Sequence, residues 1–208
     1  MIKIENDAII LFQGDSVTDC GRDYSNKGSL GSGYAFLAAA EMGRKYPDKN
    51  INFLNRGVSG NRVVDLNRRW EEDCLQLNPT WVSIYIGIND VWRRYDDNDP
   101  TSIEQFYEGY RQLIERTYEH TDAKLILVEP FCLPVPKDRK IWREDLDPKI
   151  QAIRELAREF HTLYIPLDGL FASVSTQTDP AYWAEDGVHP TAAGHALISK
   201  AWLETVQA

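Results

Sequence analysis

The sequence predicts an α/β protein, a three-layer α/β/α sandwich with a five-stranded parallel sheet at its centre. Two observations carry this. Five short runs rich in β-branched and aromatic residues alternate with stretches whose apolar residues recur every three or four positions, and that alternation builds a parallel sheet with helices on both faces. The chain has 208 residues, enough to bury roughly 70% of its unfolded surface around a core. No repeat, linker or low-complexity tract divides it, so residues 1–208 are expected to form one domain.

The strands are expected at Ala8 to Phe12, Ile51 to Leu54, Trp81 to Ile86, Lys124 to Val128 and Leu163 to Ile165. Three connections carry clear helical stripes: Val63, Leu66, Trp70, Cys74 and Leu77; Ile103, Phe106, Tyr110, Leu113 and Thr117; Leu146, Ile150, Ile153, Ala157 and Phe160. Asp99-Pro100 and Asp147-Pro148 each offer a capping side chain with proline for the first helical turn, and Thr101-x-x-Glu104 reads as a capping box. Residues 131–145, with Pro134 and Pro136, form the longest irregular connection. The loops after the strands' carboxyl ends are where such a sheet holds its chemistry.

Charge and cysteine usage narrow the function. Lys and Arg number 23 against 32 Asp and Glu, a net charge of −9, which is the wrong sign for gripping phosphate backbones or anionic lipid. Neither nucleic acid nor a membrane is therefore expected as a partner. Cys20, Cys74 and Cys132 are odd in number and form no CxxC, which argues against a disulfide framework or zinc site and for a reducing compartment. Met1 to Asp7 lacks a basic segment followed by a long apolar one, and no apolar run could span a bilayer, so a cytoplasmic location is expected. Tryptophans expected at the surface are the only pointer to a homo-oligomer.

Four segments carry chemistry. The first strand runs into Gly14-Asp15-Ser16, where a glycine permits a sharp turn and the serine offers a hydroxyl and its backbone N–H to the cleft. A plainer reading is a helix-capping serine. Gly57-Val58-Ser59-Gly60-Asn61 follows the second strand and can aim a free N–H into the same cleft. Gly87-Ile88-Asn89-Asp90 follows the third, placing at a strand end a carboxamide able to donate to an anionic oxygen, although Asn and Asp also favour turns. Asp186-Gly187-Val188-His189-Pro190 sets a carboxylate three residues before an imidazole, with a proline suited to opening the last helix. A serine hydroxyl needs a base to take its proton, and a histidine oriented by an acid is the common solution. The alternative is a helix N-terminus favoured by Asp186. Together the segments supply Ser16 as nucleophile, His189 as base, Asp186 as orienting acid, and the Ser16 N–H, a free N–H of the Gly57–Gly60 turn and Asn89 as oxyanion donors.

With those residues in view, the sequence resembles the SGNH (GDSL-type) serine hydrolases. Their four blocks match Gly14-Asp15-Ser16, Gly60, Gly87-x-Asn89-Asp90 and Asp186-x-x-His189, in order, from Leu11 to about Ala196, with Val17 where the family name has leucine. The resemblance implies a flavodoxin-like fold and ester hydrolysis through an acyl-serine. The stretches Gly14 to Arg22, Arg69 to Asp73 and Gly87 to Arg93 look like the branch containing acetylxylan esterases and carbohydrate deacetylases. That likeness implies a short-chain acyl ester, acetyl foremost, on a small molecule or an oligosaccharide such as a xylo-oligosaccharide. Neighbouring branches leave a lysophospholipase or thioesterase as the alternative, and a non-catalytic flavodoxin-like ligand-binding module is the alternative of another class.

Around the pocket, Asp15, Trp92, Arg93, Tyr182 and Trp183 are candidate substrate contacts, since aromatic rings can stack on a sugar face, although Trp92 and Trp183 can equally pack the loops down. Asp15, Asp19 and Asp90 crowd acidic groups near Ser16 without a histidine at ligand spacing, so no metal and no cofactor is expected. His120, His161 and His195 read as structural or solvated. Gly28 to Gly33 reverses the glycine order of a dinucleotide fingerprint and is expected as a loop entering a helix and lining the pocket.

Overall fold

A computed structural model describes residues 4–207; the Met1-Ile2-Lys3 part of the amino-terminal reading lies outside the described residues. In chain order the strands are β1 (Ile9–Gly14), β2 (Asn52–Asn55), β3 (Trp81–Tyr85), β4 (Lys124–Val128) and β5 (Leu163–Ile165). The helices are α1 (Ser16–Asp19), α2 (Tyr34–Lys45), α3 (Val63–Asp73), α4 (Ile88–Asp96), α5 (Ile103–His120), α6 (Arg143–Glu159), α7 (Leu167–Val174), α8 (Pro180–Trp183) and α9 (Ala192–Thr205). The strands form one sheet in the order β2-β1-β3-β4-β5, each neighbour parallel. Helices cover both faces, as the α/β/α reading requires.

Successive strand side chains point to opposite faces, so each strand feeds two cores. Ile10, Phe12, Tyr85, Ile126 and Val128 pack with α2, α7 and α9, where Trp202 lies 5.3 Å from Phe12. Leu11, Val82, Ile84, Leu125 and Leu127 pack against Leu66 and Trp70 of α3, Tyr110 and Leu113 of α5, and Ile153 and Leu156 of α6. The order reverses direction between β1 and β3, which opens a crevice at their carboxyl ends. Ser16 follows one of those strands and Asn89 the other.

Several helix starts differ from the sequence reading. The capping box of α5 is Ser102 with Gln105, one residue on from Thr101 and Glu104: the Ser102 hydroxyl accepts from the Gln105 N–H at 3.2 Å and the Gln105 side chain accepts from the Ser102 N–H at 3.1 Å. Asp99-Pro100 thus lies ahead of the helix, with Asp99 paired to Arg62. Pro148 does not open α6 but sits inside it, because a 3-10 turn over Lys137–Trp142 leads directly into Arg143. Pro148 and Glu144 are both exposed, so the carbonyl that loses its helical donor can turn to water. The connection 131–145 is accordingly partly helical. Pro190 likewise stands ahead of α9, whose cap is the Thr191 hydroxyl accepting from the Gly194 N–H at 3.3 Å.

Candidate active site

Ser16 is the first residue of α1, directly after the turn that ends β1. Only glycine fits at position 14, because a Cβ there would lie 2.3 Å from Thr18 Oγ1 and 2.4 Å from the Tyr85 carbonyl. Asp15 caps the helix, accepting from the Val17 N–H at 3.0 Å. The Ser16 N–H is one of the first helical donors, which have no partner within a helix.

Asp15, expected as a substrate contact, is only 1% exposed and caps the helix through Oδ1, while Oδ2 is buried without a hydrogen-bond partner among the described residues. Burial pushes its carboxyl up to about 7, against the Val17 N–H and the charge of His189, which lower it.

The Ser16 hydroxyl lies 2.9 Å from His189 Nε2. Nδ1 of the same ring is 2.8 Å from Asp186 Oδ2, so the Nδ1–H tautomer leaves Nε2 free to accept the serine proton. The other Asp186 oxygen accepts from the Val188 and His189 N–H groups at 3.0 and 2.8 Å. Burial alone would raise the Asp186 pKa, but those three donors and the charge of His189 hold the carboxyl far below its ordinary range. The hydrogen bond to Asp186 raises the His189 pKa above its ordinary value, against partial burial; the Asp186 and Asp15 charges add to the rise and Arg139 opposes it. Gly187, with φ +81° and a position where a Cβ would meet the Val135 and Leu133 carbonyls at 2.4 and 2.5 Å, makes the tight loop feasible.

The turn after β2 is pinned from several sides. Fully buried Asn55 donates to the carbonyls of Thr18 and Leu30 at 2.6 and 2.9 Å and accepts from the Gly57 N–H at 2.8 Å. Val58 N–H donates to Gly14 at 3.1 Å, Ser59 N–H to Asp19 at 3.3 Å, and Asn61 N–H to Val58 at 3.2 Å. Among the described residues this leaves the Gly60 N–H as the unspent donor of the turn. Gly60 itself has φ +82°, a conformation natural to glycine.

Asn89 lies in the first turn of α4 rather than on a strand end, because Gly87, at φ +134°, turns the chain straight into that helix. Its Nδ2 donates to the Asn61 carbonyl at 3.1 Å, which sets the carboxamide beside the Gly60 turn. Asp90 takes no part in the cleft: it is fully buried and accepts from the Val63 N–H at 3.1 Å, joining α4 to α3.

The flanking residues divide. Trp92 is half-buried, its ring 5.8 Å from that of His189. Tyr182 is 57% exposed and meets Trp183 edge-on. Trp183 packs on the core beside α9, and its carbonyl accepts from the Thr191 N–H at 2.9 Å. Arg93 pairs with Asp96 and Asp97, with one nitrogen 3.7 Å from where a Gly60 Cβ would stand. His195 is buried and accepts from the Tyr34 N–H at 3.2 Å, so its proton is on Nε2, facing Cys20 Sγ at 3.3 Å. Burial, helped by the charge of His189, pushes its pKa down to about 4 and keeps it neutral. Gly33 of the glycine-rich loop packs against these same two side chains.

Four residues that the sequence reading did not select hold this arrangement. Besides Asn55, Asp19 gathers Tyr24 and Ser59 hydroxyl donors at 2.7 Å each, bracing the Gly60 turn. Arg69 donates to the Gly14 and Arg56 carbonyls at 3.2 and 2.8 Å, tying the first turn to the second. Arg139 stands behind Asp186 and Trp92. Among the described residues no group of three His, Cys, Asp or Glu could hold a metal ion, and no helix is long and apolar enough to cross a membrane.

Comparison with known proteins agrees with the geometry. A model of the GDSL-like Lipase/Acylhydrolase family matches residues 12–197. The acetylxylan esterase of Geobacillus stearothermophilus is 35% identical over 99% of this chain and 96% of its own length. Its crystal structure matches with a TM-score of 0.91 at the same identity and coverage. A Parabacteroides merdae protein assigned to the GDSL-like lipases superposes with a TM-score of 0.95 at 34% identity, over 99% of this chain and 98% of that one.

Proposed function

The chain belongs to the GDSL-like lipase/acylhydrolase family and is a carboxylic ester hydrolase, and on that footing we propose that it removes acetyl groups from carbohydrate esters through an acyl-serine. The observation that carries this is the unbroken relay from Ser16 Oγ through His189 to Asp186, at 2.9 and 2.8 Å. Ser16 Oγ bonds to the carbonyl carbon while its proton passes to His189 Nε2, and Asp186 stabilises the imidazolium. Collapse of the tetrahedral adduct breaks the bond to the sugar oxygen, which leaves with that proton. Water then adds, giving one proton to Nε2; collapse of that adduct breaks the bond to Ser16 Oγ, which takes the proton back from Nε2, and acetic acid departs. The Ser16 and Gly60 N–H groups and Asn89 Nδ2 receive the negative charge of each adduct.

The acetylxylan esterase relative supports the acetyl and carbohydrate parts of this reading. The exposed Tyr182 supplies a ring face suited to a sugar. Rates on acetylated xylo-oligosaccharides, acetylated monosaccharides and long-acyl p-nitrophenyl esters test it, with acetyl substrates expected to dominate. Preference for long acyl chains would replace it with a lysophospholipase or thioesterase. An inert protein that no serine-directed phosphonate labels would instead be a binding module.

Asn89→Ala removes one charge-receiving donor. We expect turnover on p-nitrophenyl acetate to fall by about 10²–10³-fold, the scale for one oxyanion donor, with the thermal midpoint little changed. Turnover equal to wild type would remove Asn89 from the mechanism.

A further inference from the structure

Arg139 lies in the 3-10 turn between β4 and α6, with its side chain 12% exposed. Its guanidinium is 4.3 Å from the Trp92 ring centroid and 4.5 Å from that of Trp142. One of its nitrogens is 4.0 Å from Asp186 Oδ2, the oxygen that accepts from His189 Nδ1. Two paths therefore run from this cation to the imidazole: through the carboxylate, and through the Trp92 ring, itself 5.8 Å from that of His189.

We propose that Arg139 is a positioning residue of the hydrolytic site, bracing Asp186 and Trp92 so that the His189 ring stays aligned with Ser16 and its charge is balanced. The inference rests on the assignment of Ser16, His189 and Asp186 given above. A planar, weakly hydrated guanidinium suits this place better than an ammonium, because it can lie on indole faces and still point a nitrogen at a carboxylate.

The charges around His189 give the proposal a signature. Asp186 faces it from the same loop and Asp15 from the turn before α1, both favouring the imidazolium; Arg139 opposes it from the β4–α6 connection. His195 of α9 is neutral, and Trp92 of α4 carries no charge. Without Arg139 the Asp186 carboxylate, joined by Asp15 only where its raised carboxyl is ionised, acts on His189 with no opposing cation, so His189 keeps its proton to higher pH. A base must be neutral, so activity lost on acidification is lost sooner.

The test is the pH dependence of kcat and kcat/KM on p-nitrophenyl acetate for wild type, Arg139→Met and Arg139→Lys, with Ser16→Ala in parallel. Arg139→Met is expected to lower kcat about 10-fold, the scale of a modest misalignment, with KM little changed. Its acid limb of kcat/KM should move to higher pH by about 0.5–1. Arg139→Lys should return the limb toward wild type and recover part of kcat. Should Arg139→Met fail to fold, Arg139→Gln, uncharged but planar, carries the same expectation for the limb. An unmoved limb in the uncharged variant, or a lysine variant that restores neither quantity, overturns the proposal. Activity surviving in Ser16→Ala would remove the underlying site itself, whereas an inert Ser16→Ala beside an unmoved limb removes only the role of Arg139.

Discussion

Ser16→Ala is expected to remain folded and to lose about 10⁶-fold in turnover on acetyl esters, the scale seen when a triad nucleophile is deleted. The fold should tolerate it because the helix cap belongs to Asp15 and the tight packing to Gly14; the serine side chain itself is only half-buried and its hydroxyl bonds to His189. Stopped assays on p-nitrophenyl acetate, with phosphonate labelling followed by mass spectrometry, check it. Label should appear on wild type at Ser16 and be lost in the variant. Labelling that persisted would place the nucleophile elsewhere.

Asp186→Asn is expected to cost about 10⁴-fold in kcat near neutral pH, the scale of a histidine held in the wrong tautomer. The geometry dictates the direction of the amide. One oxygen of Asp186 accepts from two backbone N–H groups, at 3.0 and 2.8 Å, so an asparagine must keep its carbonyl there. Its NH₂ then faces Nδ1, which can only accept, and the imidazole proton moves to Nε2, where it points at Ser16 instead of receiving from it. A thermal midpoint near wild type with turnover lost would separate this effect from unfolding. Wild-type turnover would refute the orienting role.

Most of the architecture was legible because strand runs and helical stripes report burial directly. Phe12 and Leu11 feed opposite cores, as alternation along a strand requires. Caps were less legible, since Thr101 and Ser102 are chemically alike and only the backbone path decides which one closes the box. Pro148 misled for a related reason: a preceding 3-10 turn can carry a helix past a proline when the residue four positions before it, here Glu144, is exposed. At the site, residues acting through type and order, such as Ser16 and the Asp186–His189 pair, stood out. Asn55, Asp19, Arg69 and Arg139 did not, because each works by reaching a backbone carbonyl, a turn or an indole far away in sequence, and no local spacing records such a contact. Asp15 shows the converse, a polar residue beside the nucleophile whose local cap turns it away from solvent.

The contact between the Ser16 hydroxyl and the His189 imidazole joins positions 173 residues apart, and Trp202 of the final helix seals the sheet face over Phe12 of the first strand. Closing so long a stretch of chain is entropically slow compared with local pairing. A nascent polypeptide whose synthesis has not yet reached His189 therefore carries its nucleophile without a base to activate it.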